Sequence, residues 1–408
     1  MQNNRYQIHF SPEKGWMNDP NGLIYVDGIY HLFYQHYPND TKWGPMHWGH
    51  ATSTDLICWE HQPIALFPTE DEYIFSGSAI LDENNLLGFS ENGKKTMVLF
   101  YTSHNPKTGE QMQSLAYSTD YIHFKKYSGN PVLKNSITSP DYKKDFRDPK
   151  VFPNTVLGGY SMVLAVNEAI EFYHSTDFIN WSYTGAFYPK EFGYAGLCEC
   201  PDLFSLSCEE GTKTILSMSM IFTKEGQTEE THIMQYFIGE FNGNTFINGQ
   251  TFDETQLLDF GKDNYAMVTF ANISRPIMLG WGEDWNQARK NTADTFFGKT
   301  TLARSLSLVS VHNTLKISQS PILTTDAFSA KKNDNLWTDT CRLEVGQAKN
   351  YPHGLNLTNQ NDILIIGSAK IKRNLTGVCK ISIYYDHGYY EIFADDGLIS
   401  YSEESSHL

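Results

Sequence analysis

No apolar run in this sequence approaches the ~18 residues that a membrane-crossing helix needs, so no membrane partner is expected. Positive charge is also in deficit: 31 lysines and arginines against 47 aspartates and glutamates leave a net charge of −16. A nucleic-acid backbone is held by a basic face, and this deficit argues against a nucleic-acid partner. Cysteine is scarce, with Cys58, Cys198, Cys200, Cys208, Cys341 and Cys379 spread too thinly for a disulfide scaffold. Cys198 and Cys200 form a Cys-x-Cys without the second cysteine or histidine pair that a zinc site uses. His31, His36, His47 and His50 cluster in two strand-like segments, at separations that match no common metal motif. The reading is no metal and no cofactor. The opening MQNNRYQIHF lacks the charged and apolar regions of a secretory leader and so reads as cytoplasmic; a secreted chain whose leader had been removed would look the same.

Helical spacing of apolar residues is rare too. In its place stand strand-length segments rich in β-branched and aromatic residues: GLIYVDGIYHLFYQ, TMVLFYTS, GYSMVLAV and TILSMSMIF. A heptapeptide recurs, as STDLICW from Ser53, STDYIHF from Ser118 and STDFINW from Ser175, each time after an apolar stretch. The unit reads as a strand, a Ser-Thr-Asp turn and an aromatic-anchored strand. YFIGEFNGNTF, from Tyr236 to Phe246, is a fainter fourth copy with an Asn-Gly hairpin step. Repeats of roughly 60 residues built from several short strands fit radial blades with long loops, so the fold class is all-β and the architecture a β-propeller.

Three carboxylates mark a candidate site. Asp19 in WMNDPNGLIYV and Asp148 in FRDPKVF directly precede a proline, and Glu199 in ECPDLFSL stands one residue further off. A residue before proline is driven towards extended geometry, and proline is tolerated as the first residue of a strand, which puts each acid at a strand mouth. Taken singly, an Asp-Pro pair usually initiates a turn. The company each acid keeps shifts the reading: Trp16 and Asn18 beside Asp19, Arg147 beside Asp148, Cys200 and Asp202 after Glu199. The innermost strands of a propeller line one channel, so three acids far apart in sequence can converge.

The blocks HFSPEKGWMNDPNGLIY, FYQ, WGHATSTDLICWE, FSGS, FRDPK, ECPDLF and RPIMLGW follow one another along the chain. In their order and rough spacing the sequence resembles glycoside hydrolase family 32, the β-fructofuranosidases that include invertases, inulinases and levanases. The resemblance implies a five-bladed β-propeller over residues 1–320, followed by a β-sandwich shortened here to residues 321–408. It also implies retaining hydrolysis of terminal β-D-fructofuranosyl groups, so the partner is a small or oligomeric fructoside such as sucrose, inulin or levan.

Motif by motif, the resemblance makes Asp19 the nucleophile, Asp148 the transition-state stabiliser and Glu199 the general acid and base. Trp16, Trp43, Phe75 and Trp281 lie in the matching blocks as ring faces for the sugar, with Asn18, Gln35 and Ser76 as hydroxyl partners and Arg147 and Cys200 completing the expected set. Phe75 is as readily a core residue. To act as an acid Glu199 has to carry a proton, and two neighbouring carboxylates supply a like-charge field. Arg147 is expected to balance Asp148. WGHATSTDL and GWMNDPNG look more like the inulinase, levanase and yeast-type invertase branch than the sucrose-6-phosphate hydrolases. Fructosyl transfer to a sugar acceptor and sucrose-6-phosphate hydrolysis are the alternatives; a non-catalytic fructan-binding module is disfavoured, because all three acids are present.

Overall fold

Strand follows strand along the chain, and the one α-helix among the described residues is the single turn Trp285–Ala288. The structure is a computed structural model that describes residues 5–90, 93–135, 138–251, 253, 256–323 and 333–408. No helix in it is long and apolar enough to cross a membrane. Up to Pro321 the strands form five sheets, antiparallel but for one short parallel pairing, whose first strands are Gly15–Val26, Tyr73–Asp82, Arg147–Pro153, Leu197–Cys208 and Tyr265–Thr269. Later strands pair outward from the first in chain order, except that Phe296–Phe297 returns to the free edge of Gly15–Val26 in the first sheet. Each first strand packs against the first strand of the next sheet, and Tyr265–Thr269 packs back on Gly15–Val26, closing a ring.

Local chemistry explains the connections. Asp27 and Gly28, at φ 51° and 87°, turn Val26 back onto Ile29, and an Asp-Gly pair accepts this doubly left-handed hairpin turn. The repeated heptapeptide is one turn used three times. Ser53, Ser118 and Ser175 accept through Oγ from the amides of Leu56, Tyr121 and Phe178 at 2.8, 2.9 and 3.0 Å. Asp55, Asp120 and Asp177 accept from the amides of Cys58, His123 and Asn180 at 2.7, 2.8 and 2.7 Å. Side chains that satisfy the turn's own amides release the chain from the sheet ladder, which is why this motif ends the third strand of three sheets. The fainter fourth copy uses Asn242 instead, accepting from Asn244 and Thr245.

The apolar core lies between neighbouring sheets. Phe33, Trp48 and Tyr101 fill the gap between the first and second; Phe100, Tyr160 and Phe178 that between the second and third; Phe172, Phe187 and Phe237 that between the third and fourth. After residue 333, two four-stranded sheets share a core of Leu357, Leu364, Ile366, Ile381, Ile383 and Ile392. Buried charges fasten this unit to the ring. Arg304, wholly out of solvent, meets Asp259 at 3.0 Å and Glu391 at 2.5 Å, and His9 bridges Asp386 at 2.9 Å and Glu391 at 2.8 Å. Burial alone would lower the His9 pKa, but its bonds to the two carboxylates prevail and hold it at about 9.

Candidate active site

The five first strands share one irregularity. Each carries an extra residue near its mouth, where the pairing skips: between Met17 and Pro20, Phe75 and Gly77, Arg147 and Lys150, Glu199 and Asp202, and Tyr265 and Val268. Such β-bulges bend a strand and re-aim a side chain. Asp148, Cys200 and Ala266, at φ 64°, 44° and 52°, sit within three of them in left-handed backbone that these residues rarely adopt. The Asp148 amide donates to Thr102 Oγ1 at 2.9 Å and helps to hold that conformation. The bulges turn Asp19, Ser76, Asp148 and Glu199 towards one cavity of about 500 Å³.

Asp19 is held on both oxygens. Asn18 Nδ2 donates to Oδ1 at 3.0 Å and Ser76 Oγ to Oδ2 at 2.6 Å. The Asn18 amide is itself oriented by Trp16, whose indole Nε1 donates to Asn18 Oδ1 at 2.7 Å, while His36 Nδ1 meets the Trp16 carbonyl at 2.8 Å. Asp148 accepts from the Cys200 amide at 2.9 Å. The Cys200 sulfur lies 3.5 Å from Asp19 and 3.7 Å from Asp148, and burial followed by these carboxylates pushes its thiol well up, so it remains protonated. Glu199 accepts from Arg147 Nη2 at 2.9 Å and from the Tyr265 hydroxyl at 2.7 Å.

The like-charge field is mutual. Burial raises the Asp148 carboxyl to about 7 against the attraction of Arg147, with Glu199 and Asp19 adding to the rise. Burial raises Asp19 too, opposed by the Ser76 hydrogen bond and reinforced by Glu199. Arg147 does balance Asp148 by charge, its Nε lying 4.0 Å from Asp148 Oδ2, while its hydrogen bonds go to Glu199 and Asp145.

Among the expected binding residues, Asn18, Gln35, Trp43, Phe75, Ser76 and Arg147 line the cavity with the three acids. Phe75 stacks on His104 with ring centres 4.3 Å apart and meets Trp43 edge-on, so its ring belongs to the wall. Trp16 and Trp281 are placed differently from the expected ring faces. Both are buried, 1% and 0% exposed, in the core that backs the site. Cys200 also lies off the cavity wall, beneath it and between two carboxylates. The sequence reading missed Gln111, Ile221, Trp285 and Arg289, which complete the lining, and Tyr265 behind Glu199. Trp285 stands four residues after Trp281, just past a quoted block; the others carry no motif. A larger groove of about 820 Å³, between Lys213, Asp253 and Lys372, gathers no comparable set of carboxylates around bulged strands.

The family model of the glycosyl hydrolases family 32 N-terminal domain matches residues 9–321. The levanase of Bacillus subtilis is 40% identical over 339 residues, which cover 81% of this chain and 49% of the levanase. The invertase of Schizosaccharomyces pombe is 38% identical over 320 residues, covering 74% of this chain and 53% of that one. The chain thus spans about half the length of these two relatives. The crystal structure of an exo-inulinase from Aspergillus awamori superposes with a TM-score of 0.85 at 27% identity, covering 99% of this chain and 93% of that one. The nearly all-β architecture seen here is consistent with a β-propeller joined to a β-sandwich. A model match across three-quarters of the sequence, and close relatives across most of it, lead to one conclusion: the chain belongs to glycoside hydrolase family 32.

Proposed function

We propose that this protein is a retaining β-fructofuranosidase that releases terminal fructosyl units from sucrose or fructans, with the ring of five sheets (residues 1–320) as a five-bladed β-propeller and residues 321–408 as its sandwich. The observation that carries this reading is the convergence of Asp19, Asp148 and Glu199, from three separate strand bulges, on one cavity. Asp19, gripped by Asn18 and Ser76, attacks the anomeric carbon as Glu199 gives its proton to the departing oxygen. Glu199 then takes a proton from water, which cleaves the fructosyl ester and regenerates Asp19. Arg147 and Tyr265, bonded to the two Glu199 oxygens, keep the carboxyl aimed through both steps and stabilise the anion left between them. Asp148, with its pKa near 7, is suited to bind sugar hydroxyls as donor or acceptor. Trp43 and Phe75 offer ring faces to the sugar.

A time course of products from sucrose, inulin and levan, supplied separately and resolved by chromatography, tests the assignment. Free fructose is the expected product. Lengthening oligosaccharides from sucrose would make the chain a transferase, and no product from any of the three would overturn the reading.

A further inference from the structure

Beside the catalytic cavity lies a second one of about 470 Å³, and consecutive residues line the two. Ile221 and Trp285 face the catalytic side, whereas their sequence neighbours Phe222, Asp284 and Asn286 face the other. Through the wall between the two runs a chain of ionisable groups, in which His232 sits between two carboxylates at distances longer than a hydrogen bond. Arg289, on the catalytic wall, meets Glu230 at 2.8 Å; Glu230 lies 3.6 Å from His232 Nε2; and His232 Nδ1 lies 3.4 Å from Asp284. Asp284 caps the short helix Trp285–Ala288, accepting from the Gln287 amide at 3.1 Å, and Asn286 donates to the Glu230 carbonyl at 2.9 Å. The His232 side chain is 2% exposed and stands edge-on to Tyr265 with ring centres 5.5 Å apart. The mechanism above uses neither His232 nor Glu230.

We propose that His232, together with Glu230, is a positioning residue of the catalytic cavity: it ties the Trp285–Arg289 wall to the strand Glu230–Phe241 and so sets how the cavity grips the part of the substrate beyond the fructosyl unit. The geometry supports this in three ways. A helix of one turn makes too few internal bonds to hold its own place. Its two cavity-facing residues, Trp285 and Arg289, stand at its first residue and just past its last, where tethering at Asp284 and Glu230 has most leverage. Asp19 and Glu199 are held by other residues altogether, Asn18, Ser76, Arg147 and Tyr265, so the chain can move the wall without unseating the acids. The inference rests on the fructosidase reading for its substrate side only.

The test uses the full chain with His232→Ala, His232→Gln, Glu230→Gln and Arg289→Ala, and the double variant H232A/R289A. Near-ultraviolet circular dichroism, taken where every variant is folded, reports the contact of Trp285 with Trp16 and Trp281, at 5.8 and 4.8 Å between ring centres. Expected are an altered aromatic band in His232→Ala, partly restored in His232→Gln, and a KM for inulin raised about tenfold with kcat within about twofold. Glu230→Gln, at the solvent edge and of unchanged size, should act in the same direction, and the double variant should be no worse than Arg289→Ala alone. An unchanged aromatic band in His232→Ala, or fully additive effects in the double variant, overturns the proposal. A wild type that releases no fructose would overturn the fructosidase reading instead, while the aromatic band still decides whether His232 holds the wall.

Discussion

Replacing Asp148 by asparagine should stabilise the protein increasingly as pH rises. Asp148 is 6% exposed, and burial, opposed by Arg147 and aided by Glu199 and Asp19, lifts its pKa from the ordinary 3.8 to about 7. Below pH 3.8 the group is protonated whether the chain is folded or not. As pH rises from there to 7 the unfolded chain loses this proton while the folded one keeps it, so unfolding is favoured; above 7 the penalty is complete. The gap between the two values corresponds to ~4 kcal/mol, of which about 2.5 kcal/mol develops between pH 5 and pH 8. Asparagine keeps an acceptor for the Cys200 amide, and Arg147 keeps Glu199 and Asp145. Urea unfolding of wild type and Asp148→Asn at pH 5, 6, 7 and 8 measures the effect. Glu283 and Glu403, also raised to about 7 with burial the leading cause, titrate in both proteins and cancel in the difference. The stability of the variant relative to wild type should climb by about 2.5 kcal/mol across that range; a flat or falling difference would refute the argument that Asp148 is a buried charge the fold tolerates for the site's sake.

Asp19→Ala and Glu199→Ala should each lower kcat by orders of magnitude with little change in thermal midpoint, because both act on the bond being broken; near wild-type turnover in either would sink the roles assigned to them. Trp285→Ala should raise KM with a small loss of stability, whereas Trp281→Ala should cost about 3–5 kcal/mol of folding by opening a core cavity, as denaturant titration would show. Arg304→Met strips two buried carboxylates, Asp259 and Glu391, of their partner and should cost about 3–5 kcal/mol; a loss below ~1 kcal/mol would mean that His9 and the neighbouring serines suffice. Gly397→Ala meets both a left-handed φ of 86° and a Cβ placed 2.0 Å from the Gln319 carbonyl, so it should lower the melting temperature and loosen the C-terminal unit, read by hydrogen exchange there.

Much of this was already legible in the chain. Strand periodicity and the turn chemistry of STD, Asp-Gly and Asn-Gly act within a few residues, and they locate the strands and the end of the third strand in three of the sheets. The three acids were legible because each stands beside or one residue from a proline at a strand mouth, in the company of Trp, Asn or Arg; the extended geometry expected before proline fails at Asp148, which the bulge holds at φ 64°. The sequence also showed that the site would be built by strands, since helical spacing is nearly absent.

Which side chains meet was decided by closure of the ring. A one-residue bulge turns a side chain to the opposite face, and no local pattern reveals that all five first strands carry one. Arg147 adjoins Asp148 in sequence and pairs with it by charge, yet its hydrogen bonds go to Asp145 and to Glu199, which the next sheet brings within reach. Trp16 and Trp281, which a motif reading puts against the sugar, are drawn under the site by the core, and Trp285 takes the wall because one helical turn capped by Asp284 presents it there. Gln111, Ile221 and Tyr265 arrive from different sheets and Arg289 from the end of the short helix, and they share nothing local. Their convergence is a property of distances across the ring, which depend on every strand at once.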